Sequence, residues 1–265
     1  MTAERKQSLA LFLATLDDLL GSGYASKREY SFSKDPSSSD PPAQPVQEQK
    51  EQEPVALHAA LKKPVPPDSL HRIINEVYIC TACPLHKTRI SGVPGEGVEH
   101  PVVLVVGEGP GAQEDKTGRP FVGPAGQLLD KMLSSIDLSR EKQCFITNIV
   151  KCRPPLNRDP QLEEMEACMP FFSRQLALLK PKLILSLGRI ATQWLLQTNE
   201  TITKLHGQWK DYKGIPFLPT YHPSALLHNE MWKRPAWEDL KILRAKLQEY
   251  TDQKPELSKQ KEPEV

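Results

Sequence analysis

Cysteine is the residue type in this sequence with the clearest potential for chemistry. Cys80 and Cys83 form a CxxC pair, and Cys152 and Cys168 follow at wider spacing. A CxxC turn directs two sulfurs at one metal atom or cluster, and four thiolates complete the shell of one soft centre. The spacing fits zinc and an iron-sulfur cluster alike. Cys144 enters an apolar run without a partner motif, so we expect it to be a small buried residue and not a ligand.

A segment rich in glycine and proline, residues 107–126, is the second feature that suggests chemistry. Its sequence is GEGPGAQEDKTGRPFVGPAG. Such a turn brings backbone N–H groups close to a ligand. It is not a P-loop, because no GK[ST] follows, and a dinucleotide fingerprint would need a glycine at Ala112. From composition alone, Phe121 within this segment is best interpreted as a residue that fills the core.

Short apolar runs alternate with helical patterns through the body of the chain. This alternation predicts an α/β fold, a three-layer α/β/α sandwich with a short, mainly parallel central sheet. Ligand sites in such sheets form beyond the carboxyl ends of the strands. We therefore expect the segments 107–111, 148–155 and 222–224 to converge there. The predicted strands are 102–106, 145–150, 183–187 and 215–218, and the predicted helices are 70–78, 127–138, 161–179, 189–196 and 237–250.

Composition divides the 265 residues into four segments. Leucine and phenylalanine at helical spacing predict an amphipathic helix in residues 1–30, and eight prolines among polar residues indicate a disordered linker at 31–67. The body is 68–250, and 251–265 is a polar tail. The net charge of +1 gives no global positive field, so any contact with nucleic acid must depend on locally placed cations. No apolar run approaches the length of a membrane span, and we expect a cytoplasmic protein.

Three long segments carry a resemblance to a known family. These segments, together with the four cysteines, resemble the family 4 uracil-DNA glycosylases, the iron-sulfur branch of that superfamily. The resemblance covers roughly residues 70–250, with the motifs in the expected order, and leaves residues 1–67 outside. It implies a base excision repair enzyme that flips uracil out of DNA and hydrolyses its N-glycosidic bond, leaving an abasic site. The segments are GEGPGAQEDKTGRPFVGPAGQLLDKML, FITNIVKCRPPLNRDP and YHPSALL.

The resemblance implies a uracil pocket built from three distant loops. Phe121 matches the aromatic residue that stacks on the base, so the core-filling interpretation becomes the less favoured one. Asn148 matches the amide that reads the uracil edge, since an amide can donate to O4 and accept from N3–H at once. His222 matches the imidazole that faces uracil O2, where negative charge grows as the bond breaks.

The residue that positions the attacking water stays open between two carboxylates. Better-known uracil glycosylases carry an aspartate where this chain has Gly109, so the usual base is absent. Glu108 orients water or, with Gly107 and Gly109, binds uracil, while Glu114 resembles a pocket carboxylate that excludes the 5-methyl group of thymine or assists attack. A nearby carboxylate also stabilises an oxocarbenium-like sugar electrostatically. Asp115 is expected to be solvated.

The residues that follow His222 predict the start of a helix, and the histidines outside the matched position are interpreted as structural. His222 precedes Pro223, which favours an extended backbone, and Ser224 is a candidate N-cap for the helix that follows. His206 and His228 match no family position, and neither is expected to take part in catalysis.

The resemblance also implies that the four cysteines hold a 4Fe-4S cluster with a structural role. Cys152 lies four residues after Asn148, so ligation there would fix the turn that aims the reading amide. Lys151, Arg153 and Arg158 flank this ligand and are candidates for contacts with DNA phosphates. Solvated surface charges are the alternative for each of the three.

Two other functions stay open at this point. Some relatives trap uracil covalently through a histidine in a basic insertion after the second motif, and this chain runs on without one, so turnover is favoured. The body could instead be a non-turnover uracil-DNA binder or a DNA polymerase-associated module. The protein is expected to be a monomer whose helix in residues 1–30 docks on the body or on a protein partner.

Overall fold

A computed structural model describes residues 67–252 of the chain. The predicted N-terminal helix, nearly all of the linker and most of the C-terminal tail lie outside these residues. Within them, the strands are β1 (Glu96–Gly97), β2 (Val103–Gly107), β3 (Cys144–Asn148), β4 (Leu183–Leu187), β5 (Lys210–Tyr212) and β6 (Ile215–Thr220).

The strands form one sheet in the order β1-β3-β2-β4-β6-β5. The four inner strands are parallel, and the short strands β1 and β5 are antiparallel to their neighbours at the two edges. The register places Gly107, at the end of β2, opposite Asn148, at the end of β3. The carboxyl ends of the parallel strands therefore meet along one edge, and the prediction of a mainly parallel sheet is confirmed.

Helices pack against this sheet. The longest, α4 and α8, contribute leucines to the two hydrophobic clusters of the core. No helix in residues 67–252 is both long enough and apolar enough to cross a membrane. The helices are α1 (Leu70–Ile79), α2 (Ala112–Thr117), α3 (Pro124–Ser134), α4 (Leu162–Leu179), α5 (Gly188–Leu196), α6 (Ile202–Leu205), α7 (Pro223–His228) and α8 (Lys233–Asp252).

Side chains of the central strand β2 divide between two clusters, because successive residues of a strand point to opposite faces. Val103 and Val105 pack in one cluster with α3, α7 and α8. Leu104 and Val106 pack in the other with α4 and α5. Helices therefore cover both faces of the sheet, which gives the three-layer sandwich that the sequence predicts.

Some element boundaries differ from those expected. The helix predicted at 127–138 begins earlier, at Pro124, because proline suits the first turn of a helix, and it ends at Ser134 shortly before Asp137, which has a φ of 62°. The strand predicted at 145–150 ends at Asn148. The edge strands β1 and β5 were not predicted, since two or three residues carry no readable alternation.

Candidate active site

The carboxyl ends of the parallel strands open into one pocket with a volume of about 270 Å³. We call it the carboxyl-end pocket. Segments that follow β2, β3 and β6 line it together with the start of α5, so the three segments expected to converge do lie together. Its lining residues are Glu108, Gly109, Pro110, Gly111, Glu114, Phe121, Ala125, Asn148, Pro154, Asn157, Arg158, Gly188, Arg189, His222 and Ser224.

Asn148 holds an amide that has no hydrogen-bond partner in the described part of the chain. The residue is 1% exposed, and both Nδ2 and Oδ1 are buried without a partner. An unsatisfied buried polar group costs about 1–3 kcal/mol, so proteins rarely retain one without a function. A ligand edge that carries one acceptor and one donor would satisfy both atoms.

Gly107 allows two of the predicted side chains to approach the same point. A Cβ atom at Gly107 would lie 2.5 Å from Asn148 Oδ1 and 2.6 Å from Phe121 Cζ. Both distances are shorter than any real contact, so a larger residue would displace the amide or the ring. Gly107, which is expected to contact uracil, is therefore required for steric reasons, because no side chain fits at this position.

Phe121 serves the core and the pocket at once. The ring is 5% exposed, packs in the same cluster as α3, and lines the carboxyl-end pocket. Its centroid lies 5.6 Å from the centroid of the His222 ring. The backbone of Phe121 has a φ of 52°, an uncommon value for a residue with a side chain. Such a conformation persists only where the surroundings fix it.

A buried guanidinium fixes the first half of the loop 120–123. Arg140 donates from Nη1 to the carbonyl oxygen of Pro120 at 3.0 Å and from Nη2 to that of Phe121 at 2.9 Å. Nη2 also donates to Oδ1 of Asp130 at 2.7 Å, which balances the charge. These bonds account for the unusual backbone of Phe121.

Glu114 fixes the second half of the same loop. Its Oε1 accepts hydrogen bonds from the N–H groups of Val122 and Gly123, both at 2.8 Å. Glu114 also lines the carboxyl-end pocket, as expected of a pocket carboxylate. The expectation that Asp115 is solvated is wrong: it is 2% exposed, because its Oδ1 accepts from the N–H of Ile90 at 2.9 Å.

His222 occupies the N-cap position of α7, where Ser224 had been expected. Its Nδ1 accepts from the Ser224 N–H at 3.2 Å and lies 2.7 Å from the Ser224 hydroxyl. Because Nδ1 is an acceptor, the proton of the neutral ring is assigned to Nε2. Burial lowers the pKa of His222 to about 4, so the imidazole is neutral at physiological pH. The ring therefore presents one donor, Nε2–H.

Glu108 is a half-buried carboxyl group in the lining of the pocket. Burial, reinforced by the nearby Asp159 and opposed by Arg189, raises the pKa of Glu108 to about 7. The group therefore changes charge within the neutral pH range. Glu108 directly follows β2, which places it near the unpartnered amide of Asn148 through the register of β2 and β3.

The four paired or spaced cysteines line a second, smaller cavity, which we call the cysteine cavity. α1 leads into the CxxC pair, a loop after β3 supplies Cys152, and α4 supplies Cys168. Cys144 lies in β3 at 0% exposure and is not part of this cavity. The lining residues are Val77, Cys80, Ala82, Cys83, His86, Arg89, Lys151, Cys152, Ala167, Cys168 and Phe171.

Several N–H groups point at the sulfurs of the cysteine cavity. Arg89 donates from Nη1 to Cys152 Sγ at 2.8 Å, and the backbone N–H of Lys151 donates to Cys168 Sγ at 3.3 Å. Such donors stabilise thiolates and tune a bound metal centre. In residues 67–252 no three His, Cys, Asp or Glu side chains form a site for a single metal ion.

The prediction that Lys151 contacts DNA phosphate is wrong. The side chain is 1% exposed, and Nζ donates to Thr147 Oγ1 and to the carbonyl oxygen of Asn148, both at 2.6 Å. An ammonium group buried in this way cannot reach the surface of the protein, where a DNA backbone would lie.

Arg153 and Arg158, the other two cations of this group, do reach the surface. Arg158 lines the carboxyl-end pocket and donates to both carboxylate oxygens of Glu164. Arg153 donates from Nε to Asn157 Oδ1 at 2.8 Å and has no carboxylate partner in the described residues. Arg153 therefore keeps the less compensated charge of the two.

The remaining histidines lie outside the pocket, and two arginines of the site were missed. Nδ1 of His206 lies 3.0 Å from Asp239 Oδ1, and His228 is exposed at the end of α7. Arg89 and Arg140 gave no signal in the sequence, because each stands in a polar stretch that is typical of a protein surface. The contact of Arg89 with Cys152 and the burial of Arg140 against the loop 120–123 are visible only in three dimensions.

Comparison with known proteins agrees with this arrangement. The family model of the uracil DNA glycosylase superfamily matches residues 94–241. A type-4 uracil-DNA glycosylase of Sulfurisphaera tokodaii is 45% identical over 185 residues, 67% of this chain and 84% of that protein. One of Thermotoga maritima is 46% identical over 165 residues, 61% of this chain and 85% of that protein. A DNA polymerase of Bacillus phage SP01 is 27% identical over 154 residues, 58% of this chain and 17% of that protein.

The fold and the site together define a class. A mainly parallel α/β/α sandwich carries, at the carboxyl edge of its sheet, an aromatic ring, an unpartnered amide and a neutral imidazole. With the matches above, the chain belongs to the uracil DNA glycosylase superfamily and, within it, to the type-4 uracil-DNA glycosylases.

Proposed function

We propose that this protein removes uracil from DNA by hydrolysing the bond between uracil N1 and deoxyribose C1′, which leaves an abasic site. One observation carries the proposal: the two polar atoms of the Asn148 amide are buried without partners in the described part of the chain, in a pocket that Phe121 and His222 also line. The imide edge of uracil supplies the acceptor and the donor that this amide lacks.

Base flipping is the first step, because a stacked base hides its glycosidic bond. Extrusion of a nucleotide costs a few kcal/mol, and stacking of one base on an aromatic ring returns about 1–3 kcal/mol. Phe121 is held by its loop before the base arrives, so the ring does not need to be ordered on binding. The stacking energy is therefore available to offset the flipping cost.

Discrimination against cytosine follows from the amide of Asn148. Nδ2 donates to uracil O4 while Oδ1 accepts from N3–H. Cytosine reverses both positions, so the same orientation of the amide would oppose donor to donor and acceptor to acceptor. Sites that depend on such buried hydrogen bonds reject the mismatched ligand by factors of about 10⁴.

His222 stabilises the leaving group. As the bond breaks, its electron pair moves into the uracil ring and negative charge grows on O2. The neutral ring offers Nε2–H to this oxygen, since Nδ1 already accepts from Ser224. A preorganised donor at a developing oxyanion contributes about 3–4 kcal/mol.

We assign two roles to Glu108: it stabilises positive charge on the sugar, and it positions the attacking water. Oε1 of Glu114 already accepts two N–H groups of the loop 120–123, whereas Glu108 faces the pocket with a pKa raised to about 7 by burial. When ionised, Glu108 stabilises positive charge on the sugar and orients a water molecule. The water oxygen bonds to C1′, and a water proton passes to the carboxylate or to solvent.

We also propose that the four cysteines of the cysteine cavity hold a 4Fe-4S cluster. The support for this proposal is that the four cysteines line one cavity and that N–H groups of Arg89 and Lys151 donate to the sulfurs of Cys152 and Cys168. When bound, the cluster cross-links α1, the loop after β3 and α4, and hydrolysis of the glycosidic bond needs no electron from it.

Cations beside the carboxyl-end pocket position the DNA backbone in this proposal. Arg153 is the stronger candidate, because Glu164 compensates the charge of Arg158. Removal of one phosphate contact should reduce the slope of log affinity against log salt concentration by about one.

A uracil-containing oligonucleotide and its thymine-containing counterpart test the proposed activity. We expect abasic product in excess of the enzyme from the first and none from the second, measured by alkaline cleavage and gel separation. A covalent protein–DNA adduct, or binding without product, would contradict the proposal of turnover.

The metal content tests the cluster independently of activity. We expect protein purified without oxygen to be brown, with broad absorption near ~400 nm, and to contain iron and inorganic sulfide in equal amounts. Colourless protein with one zinc per chain would show that the cysteines hold a single ion.

A further inference from the structure

We propose that Lys151 is a positioning residue that joins the cysteine cavity to the reading amide of Asn148. The inference rests on the proposed function and goes beyond it. Its starting point is a lysine that is 1% exposed and has the largest side chain among the fully buried residues of the described part of the chain. A side chain of this kind is rarely buried so completely unless its charge and its donors are used.

The donors of Lys151 fix the backbone at Asn148. Nζ donates to the Asn148 carbonyl oxygen and to Thr147 Oγ1, both at 2.6 Å. The Thr147 hydroxyl lies 3.2 Å from Pro94 O and 3.2 Å from Gln175 Oε1, so its single proton goes to one of these acceptors. Its oxygen therefore accepts from Lys151, and the ammonium group is held at a defined point.

This backbone anchor matters because, within residues 67–252, the side-chain amide of Asn148 makes no hydrogen bond. Neither Nδ2 nor Oδ1 has a partner in the described residues, so the direction of the amide depends on the backbone that carries it. Lys151 grips the carbonyl group of that same residue. A shift of the carbonyl by a fraction of an ångström moves the amide against the uracil edge.

The positive charge of Lys151 indicates an interaction with the cysteine cavity. In residues 67–252 no carboxylate pairs with Nζ, which lies over the Phe172 ring at 5.9 Å from the ring centroid. Lys151 lines the cysteine cavity, and its backbone N–H donates to Cys168 Sγ. An uncompensated buried charge costs several kcal/mol. Thiolates that carry a cluster supply the negative charge that this ammonium group lacks.

Lys151 thus ties uracil recognition to the occupied cysteine cavity without any contact between the cluster and the base. The negative charge holds the ammonium group in place, and the ammonium group holds the carbonyl of Asn148. The cluster would act on binding of the base through this lysine, in addition to its role as a cross-link.

Lys151→Met tests this link, because methionine keeps most of the apolar stem and removes the donors and the charge. We expect the affinity for free uracil, measured by calorimetry, to fall about 10- to 100-fold, as for other residues that orient a site through its neighbours. The reduction potential of the cluster should shift to a more negative value, because a buried positive charge favours the reduced form. Lys182→Met, at an exposed lysine before β4, should change neither quantity.

Unchanged affinity for uracil in Lys151→Met would overturn the positioning role, and an unchanged reduction potential would overturn the link to the cluster. If wild-type protein releases no uracil from DNA, the proposed function fails instead. If wild-type protein releases uracil while Lys151→Met binds it normally, only the present inference fails.

A second pair of variants covers the case in which Lys151→Met does not fold or does not retain iron. Thr147→Val keeps the lysine but removes the hydroxyl that holds it, whereas Thr147→Ser keeps that hydroxyl. We expect weaker uracil binding in Thr147→Val, in the same direction as for Lys151→Met, and near-normal binding in Thr147→Ser. Equal affinities for the two would contradict the proposal.

Discussion

Two buried amides of this protein, Asn148 and Gln175, differ in a way that separates function from stability. Both are 1% exposed. Gln175, on α4, donates from Nε2 to Pro94 O at 2.6 Å, and its Oε1 lies 3.2 Å from Thr147 Oγ1. Asn148, the next residue after Thr147, has no partner for either polar atom in residues 67–252. The amide of Gln175 therefore has its hydrogen-bond partners within the core, whereas the amide of Asn148 would find its partners in a bound ligand.

Asn148→Ala is expected to have the largest effect on activity. Loss of the reading amide should lower kcat/KM on uracil-containing DNA by about 10³-fold or more, because both hydrogen bonds to the base disappear. The melting temperature should stay close to that of the wild type, since no internal hydrogen bond is lost. Steady-state kinetics and thermal unfolding measure the two quantities. A strongly destabilised variant would show that Asn148 has a structural partner and would break the contrast with Gln175.

His222→Ala should have the second-largest effect on activity. Removal of one donor from a developing oxyanion lowers kcat by about 10²- to 10³-fold, while affinity for uracil-containing DNA is largely retained. Single-turnover rates and binding titrations separate the two effects. The exposed His71, changed to alanine, is the control and should behave as the wild type. Equal rates for both variants would remove His222 from the mechanism.

The fold was predictable from sequence where apolar runs are long enough to have a pattern. β2 and β4 are unbroken apolar strands, so their burial on both faces could be inferred. β1 has two residues and follows glycine, and no periodicity exists at that length. The start of α3 was misplaced because Pro124 in a glycine-rich segment suggests a loop, although proline is suited to a first helical turn.

The site was predictable only for residues within long motifs. Phe121, Asn148 and His222 could be placed in one pocket because each belongs to such a motif. Lys151 was misplaced because it stands two residues before Arg153 in KCRPP, and sequence does not tell which cation of such a group turns inward. Arg140 was missed for the same reason: its burial depends on the loop 120–123, which lies 17 or more residues away in sequence.

Glu108→Gln sharpens the comparison by testing a group that titrates beside Asn148. Burial raises the pKa of Glu108 to about 7, so the ionised form gains population as the pH rises through that value. Wild-type kcat/KM should therefore increase from pH 6 to pH 8, and the glutamine variant should be about tenfold slower at pH 8 with a flat profile. The ring of His222, with a pKa of about 4, does not titrate in this range.

The control for this pH profile is Glu163→Gln, which changes an exposed carboxylate at the start of α4. Its profile should match that of the wild type. A wild-type profile without a rise between pH 6 and pH 8 would show that the carboxylate form of Glu108 is not required.

Gln175→Ala should have the smallest effect on activity and the largest on stability. The change removes the bonds to Pro94 and Thr147 and leaves buried polar groups unsatisfied, which costs about 1–3 kcal/mol in the free energy of unfolding. The melting temperature should fall by roughly 2–4 °C per kcal/mol. Excision well below that temperature should fall less than in the three variants above, because Lys151 still holds Asn148. Gln127→Ala, at an exposed amide on α3, is the control. If Gln175→Ala lost activity as fully as Asn148→Ala while remaining folded, the division between a structural amide and a functional one would not hold.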